Sequence, residues 1–147
     1  DTRATAQIAA LNAAIGEGVI LERCGNALTS QSVGPKILWL KETHPDLFAR
    51  TAKVLTSTSY LTWKLTGTHA IDHYTAANFS PLYDVNRLAW TDDLADFLPL
   101  DRLPHLMWST DIAGHVTAAA ARETGLMEGT PVTCGTIDAA AEAVRVG

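Results

Sequence analysis

The chain has 147 residues, of which 47% are apolar and 18% charged, and it carries a formal charge of −5. A chain of this length can bury roughly two thirds of the surface its unfolded form exposes, so it is long enough for one folded domain with a real core. The composition excludes the polar, highly charged profile of disorder, and the acidic balance with scattered Lys and Arg excludes a broad nucleic-acid footprint.

No apolar run approaches the ~20 residues needed to span a bilayer. The opening Asp1-Thr2-Arg3 has none of the basic and then apolar regions of a signal peptide. A cytoplasmic setting is the expectation, with neither nucleic acid nor membrane as a partner. Cys24 and Cys134 stand far apart without a C-x-x-C partner and read as two reduced core thiols. The absence of an initiating Met, with a helix signal at the very start, suggests a piece of a longer protein.

Ile8, Leu11 and Ile15 recur at helical spacing and predict a helix over 2–15, broken by Gly16 and Gly18. A shorter helical turn is expected over 19–24, then a loop through 29–32. Pro35 suits the first turn of a helix carrying Ile37, Leu38 and Leu40, and Pro45 opens a second one over 45–52. Val54-Leu55 reads as a short buried strand, after which the 56–59 cluster caps a helix over 60–65 that Gly67 stops.

The segment 70–77 reads as extended. Thr91 is expected to cap a short amphipathic helix with Leu94, Phe97 and Leu98 inward, ended by Pro99, and a proline-bearing connection then runs to Gly114. Thr117 opens a helix over 118–124 that Gly125 closes, and Gly129-Thr130-Pro131 turns into a strand over 132–135 expected to be buried in one sheet with Val54-Leu55. Thr136-Ile137-Asp138 then leads into an alanine-rich helix through Val146. Alternating helices and strands without internal repeats predict an α/β layered architecture.

Several segments, in order, resemble the FGGY carbohydrate kinases. Asp1-Thr2-Arg3 is similar to the family's D-x-R. Ser32-Val33-Gly34-Pro35-Lys36-Ile37-Leu38-Trp39-Leu40 resembles its (S)-x-(G/P)-K helix start, and Tyr60-Leu61-Thr62-Trp63-Lys64-Leu65-Thr66-Gly67 its Y-L-x-x-K-L-T-G. Asp72 through Ala76, Ile112 through Thr117, Thr124-Gly125-Leu126, Gly129-Thr130-Pro131-Val132 and Gly135 through Asp138 are similar to its T-D-x-(S/T)-x-A, I-x-G-x-(V/L)-(T), T-G-L, G-(T/I)-P-V and G-x-x-D blocks. The resemblance covers nearly the whole chain.

It implies an actin-like, ribonuclease-H-like kinase of two domains, of which residues 1–147 would be the latter part of the N-terminal, substrate-side domain. The phosphate-loop hairpin and the C-terminal domain would lie outside the chain. It further implies ATP and Mg2+ as cofactors of the full-length enzyme, the remaining kinase domain as a partner in cis, a possible homodimer, and a fragment that is inactive alone. The substrate implied is a small sugar or polyol, in particular a ketopentose such as xylulose or ribulose. A non-catalytic actin-like module with a regulatory or scaffolding role is the alternative.

Phosphoryl transfer to a hydroxyl needs a carboxylate to accept the hydroxyl proton. Asp138 sits where a strand passes into a helix, a place that favours an ionised carboxylate, and in the family the Asp closing the G-x-x-D block is the base. Locally it also reads as a helix cap, and the two roles can coexist. Ala139, Ala140 and Ala141 leave room beside it but supply no side-chain hydrogen bond, where several family members place Gln or Asn.

Gln31 falls near a position that contacts substrate in some family members, a weak indication, since a loop residue of this kind reads first as solvated. In an extended segment His69 and His73 would share a face that excludes Asp72, so no metal site is assigned. Trp39, Trp63, Trp90 and Trp108 read as packing residues. No G-x-S-x-G-type context supports a hydrolase.

Overall fold

A computed structural model describes the backbone of residues 2–146 and the side chains of residues 2–143. The chain divides into two units, one from residues 1–53 and 76–102 and the other from residues 54–75 and 103–147.

The first unit is mainly helical. Helix α1 (Thr5–Ile15) ends where Gly16 adopts φ +94°, and α2 (Glu17–Cys24) begins at the next residue, so the predicted turn is a helix of two turns. Helix α3 (Val33–Thr43) takes Pro35 in its first turn, and α4 (Pro45–Ala49) starts on Pro45, where a missing N–H costs nothing. α4 stops at Ala49, short of the expected residue 52. Gln7 in α1 donates to the Glu42 carboxylate in α3 at 2.7 Å, a polar tie beside a core of Leu11, Ile20, Cys24, Ile37, Phe79 and Leu82.

The hairpin β2 (Tyr83–Asp84) and β3 (Ala89–Trp90) completes this unit, with Tyr83 opposite Trp90. No helix follows Thr91. Its hydroxyl accepts from the Asp93 N–H, its N–H donates to the Leu82 carbonyl, and Lys41 donates to the Phe97 carbonyl at 3.0 Å. The segment after Thr91 is instead held by contacts from elsewhere in the unit, and Phe97 and Leu98 are still buried as their spacing suggested.

The second unit is built around helix α5 (Ser57–Thr66). Thr56 caps it by accepting the Ser59 N–H at 3.2 Å, and Gly67 closes it in the left-handed conformation. Strand β1 (Ala70–Asp72) pairs in parallel with β4 (His105–Met107), Ala70 opposite His105. The extended segment predicted over 70–77 therefore ends at Asp72, where the short helix α6 (His73–Ala76) begins.

Strand β5 (Ile112–His115), within what the sequence suggested was connection, pairs antiparallel with β6 (Pro131–Thr133). Gly114 lies in β5 because α5 approaches there: a Cβ on it would stand 2.8 Å from the Thr66 Cβ. Helix α7 (Ala118–Thr124) is capped by Thr117 and closed by Gly125 as predicted.

Two further expectations fail. Val54-Leu55 is not a strand: the pair is half-buried and belongs to none of the two-stranded ladders β1–β4, β2–β3 and β5–β6. The 132–135 strand is also shifted: it runs Pro131–Thr133 with Pro131 and Thr133 exposed and only Val132 turned partly inward, as befits one strand of a two-stranded pair. Cys134, just beyond it, is the residue that enters the core, against Ala70 and Ala113.

Candidate functional site

The loop from Cys134 to Ile137 carries the chain from β6 into α8 (Asp138–Val146), and several contacts fix it. The Cys134 N–H donates to the Asp111 carbonyl at 2.9 Å and the Gly135 N–H to the Ser109 carbonyl at 3.1 Å. Gly135 has φ +75°, and a Cβ there would stand 3.0 Å from the Thr58 side chain, so both its backbone angle and its surroundings call for glycine. Thr136 donates its hydroxyl to Asp72 Oδ2 at 2.7 Å.

Asp138 is the first residue of α8 and is exposed. Helix α8 begins at the Ile137 carbonyl, which accepts from the N–H groups of Ala140 and Ala141, both at 3.1 Å. Asp138 thus stands inside the first turn rather than at the cap, and its Oδ1 accepts the adjacent Ala139 N–H at 2.8 Å. A carboxylate in that position is favoured by the helix dipole and can accept a proton from a bound hydroxyl.

An open cleft of about 640 Å³ lies beside the same helix, lined by Tyr74, Trp108, Ser109, Thr110, Thr136, Ala140 and Ala143. Its volume falls in the range of small-molecule sites. At 3.6 residues per turn Asp138 is about 200° round the helix from Ala140 and about 140° from Ala143, so the carboxylate and the cleft belong to different faces of α8. Among the alanines that follow Asp138, Ala140 lines the cleft while Ala139 and Ala141 are exposed.

The family model for the FGGY carbohydrate kinases, N-terminal domain, matches residues 1–144. The chain belongs to the FGGY family of carbohydrate kinases. Its backbone superposes on a xylulose kinase from Rhodospirillum rubrum with a TM-score of 0.94 at 32% identity, covering 100% of this chain and 31% of that one. A xyloylose kinase from Brucella ovis follows at 0.85 and 30% identity, over 96% of this chain and 29% of that one. Among curated relatives, the autoinducer-2 kinase of Yersinia enterocolitica is 32% identical over 139 residues, 92% of this chain and 26% of the relative. The fold is that of the FGGY N-terminal domain, of the actin-like, ribonuclease-H-like type, and the chain spans about a quarter of the length of the curated relative it matches.

The FGGY blocks fall on the elements just described. Gln31 is an exposed loop residue whose N–H donates to Thr29 Oγ1 at 3.1 Å and whose carbonyl accepts from Lys36 at 3.4 Å. It belongs to the first unit and Asp138 to the second. Asp1 of the D-x-R block lies outside the described residues, whereas Arg3 stands over the Trp39 ring at 4.4 Å.

Three tryptophans pack as expected: Trp39 against His44, Trp63 stacked on His69 at 5.3 Å, and Trp90 between Phe79 and Tyr83. Trp108 does not. It is 45% exposed, contacts His73 and Tyr74, and walls the cleft, because the turn closed by its N–H on the Asp111 carboxylate presents the indole outward. His69 and His73 do not form a shared strand face either, since β1 ends between them at Asp72.

Asp72 and Thr136 were not singled out as site residues from sequence. Asp72 precedes the four helical residues of α6 and caps them, a signal present in the Asp-His-Tyr-Thr order. Buried Cys134 has its thiol pushed up to about 11, by burial first and then by the Asp72 and Asp111 carboxylates. It is an inert packing group.

Proposed function

We propose that the full-length protein containing this chain transfers the γ-phosphoryl of ATP to a hydroxyl of a small sugar or polyol, with Asp138 as the general base. What carries this reading is an exposed carboxylate at the first residue of α8, in the G-x-x-D block of a chain that belongs to the carbohydrate kinases. Asp138 Oδ1 is engaged by the Ala139 N–H, which leaves Oδ2 to accept the hydroxyl proton as the oxygen attacks phosphorus. As the new bond between the hydroxyl oxygen and the γ-phosphorus forms, the bond from that phosphorus to the β,γ-bridging oxygen breaks, ADP leaves and the proton stays on the carboxylate.

ATP supplies the phosphoryl group and Mg2+ neutralises its charge. Among the described residues no group of three or more His, Cys, Asp or Glu could hold a metal ion; Mg2+ in such sites is held by one or two carboxylates together with substrate phosphates, and in this reading it comes with the nucleotide, largely outside residues 1–147. In this reading residues 1–147 are the latter part of the substrate-side domain, and the nucleotide is held by the remaining kinase domain in cis. Gln31 is proposed as a sugar contact from its exposed loop.

For the acceptor we propose a ketopentose such as xylulose or ribulose, supported by the likeness to xylulose kinases at 30% and 32% identity. The autoinducer-2 kinase at 32% identity favours a second acceptor, autoinducer-2. Coupled ADP-release assays on the full-length protein, across pentuloses, hexoses, glycerol, gluconate and autoinducer-2, test both. Preference for a ketopentose by kcat/KM is the expected result, and the absence of sugar-dependent ADP release from every acceptor would turn the assignment toward a non-catalytic module.

A further inference from the structure

We infer that Asp72 and Thr136 form a positioning pair that sets the orientation of Asp138. The inference rests on the reading of Asp138 as the base. Asp72 closes strand β1 and is 2% exposed. A charge so far from water must be met by hydrogen bonds, and Asp72 Oδ2 accepts three: from the Tyr74 N–H at 3.1 Å, the Thr75 N–H at 3.3 Å and the Thr136 hydroxyl at 2.7 Å.

The first two cap helix α6, and they are local. The third spans 64 residues of sequence, is the shortest, and reaches the loop residue two before Asp138. Helix α8 has no buried charged anchor of its own among the described residues: Asp138, Ala139, Ala141 and Glu142 are exposed, and the helix starts on the Ile137 carbonyl. The direction in which Asp138 leaves the loop is therefore set by what holds residues 134–137. Two backbone bonds hold Cys134 and Gly135 to the Ser109–Asp111 turn, and Thr136 is the last anchored residue before the helix.

Hydrogen bonds to a charged acceptor are strong and directional. Losing this one frees the loop to rotate about Gly135, which lacks a side chain to resist it. A base displaced by a fraction of an ångström from its hydroxyl loses rate rather than ground-state affinity. Asp72 touches no reacting atom in this scheme; it acts through Thr136.

The test uses the full-length protein and the acceptor found to be turned over. Thr136→Val keeps the shape and removes the donor, and is expected to lower kcat about tenfold while the sugar KM stays within about twofold. Thr136→Ser restores the donor and is expected to recover at least about half of the parental kcat. In an Asp138→Asn background, Thr136→Val should lower kcat no further, because there is no base left to position.

A Thr136→Val enzyme that keeps more than half its kcat, or whose loss repeats in full in the Asp138→Asn background, overturns the inference. A Thr136→Val protein that fails to fold makes the contact purely structural and overturns it too. If Asp138→Asn itself keeps its turnover, the reading of Asp138 fails and this inference with it; loss of turnover in Asp138→Asn with none in Thr136→Val overturns only the inference.

Discussion

Arg23 Nε lies 2.6 Å from Asp84 Oδ2, joining α2 to the β2–β3 hairpin through a carboxylate that is 1% exposed. Asp84 Oδ1 accepts the N–H groups of Asn86 and Arg87 at 2.9 and 3.0 Å, so both oxygens are occupied. Burial alone would push this carboxyl up, but the Arg23 guanidinium and the two backbone amides more than offset it and hold it below the usual carboxylate range. Arg87 and Asp93 extend the cluster on the exposed side, at 2.7 Å, where an ion pair contributes little.

The depressed pKa fixes the direction of a pH dependence. The unfolded chain takes up this proton more readily than the folded one. The stabilisation is therefore complete above the ordinary Asp value of about 3.9 and is lost as the pH falls through the lower folded value. Asp84→Asn should lower the melting temperature by several degrees at pH 7, with the gap to the parental protein closing below about pH 4. Arg87→Ala should shift it far less. Melting curves from pH 7 to pH 3 check both, and a gap that widens toward acid would contradict the assignment.

Gly34 faces the Ser80 carbonyl so closely that an added Cβ would stand 2.2 Å from that oxygen and 3.0 Å from Pro81 Cδ. The obstacle is backbone, which cannot swing aside. Gly34→Ala should cost about 1–3 kcal/mol or more. Gly18, exposed in α2 with nothing within 4 Å of a built Cβ, is the contrasting site. There Gly18→Ala should stabilise by about 0.5–1 kcal/mol. Chemical denaturation of the two variants side by side gives the comparison.

These contacts also show which parts of the fold were legible in the sequence. Thr56, Thr117, Gly67, Gly125 and Pro45 act within a few residues of themselves, and each starts or stops a helix, α5 beginning at Ser57 rather than at the expected residue 60. Strand pairing is nonlocal, and there the reading failed. Nothing near Ile112 announces its partner Thr133, and nothing near Val54-Leu55 says that no partner exists. No α-helix forms over 92–98, and Phe97 there is held by Lys41 from 56 residues away, a contact that no local signal announces. At the candidate site the position of Asp138 at a strand-to-helix junction was readable from residue order, whereas its link to Asp72 was hidden by 64 intervening residues.

Both cysteines are free and buried, Cys24 in the first unit and Cys134 in the second. Burial pushes the Cys24 thiol up, and that of Cys134 to about 11, so neither is a thiolate at neutral pH. Native protein at pH 8 should leave both unlabelled by iodoacetamide over a time in which the denatured protein reacts completely. Mass spectrometry of the labelled peptides reads this directly. Rapid alkylation of Cys134 in the native state would mean that the 134–137 loop opens, and with it the anchorage of α8.

The decisive substitution is Asp138→Asn in the full-length protein. Asn keeps the shape of the side chain, and its carbonyl oxygen can still accept the Ala139 N–H that Oδ1 accepts at 2.8 Å. Because Asp138 is exposed and outside the core, the melting temperature should move by no more than a degree or two. Turnover should behave differently. A positioned general base contributes on the order of 10²–10⁴ in rate, so kcat should fall at least about 10²-fold. The sugar KM should change much less, since the missing proton acceptor is needed in the transition state and not for binding. A carboxylate that merely favours its helix would give the opposite pattern: a small loss of stability through the helix dipole and nearly parental turnover. An Asp138→Asn enzyme retaining more than half of the parental kcat would remove Asp138 from the reaction and leave the proposed kinase without a base among the residues described here.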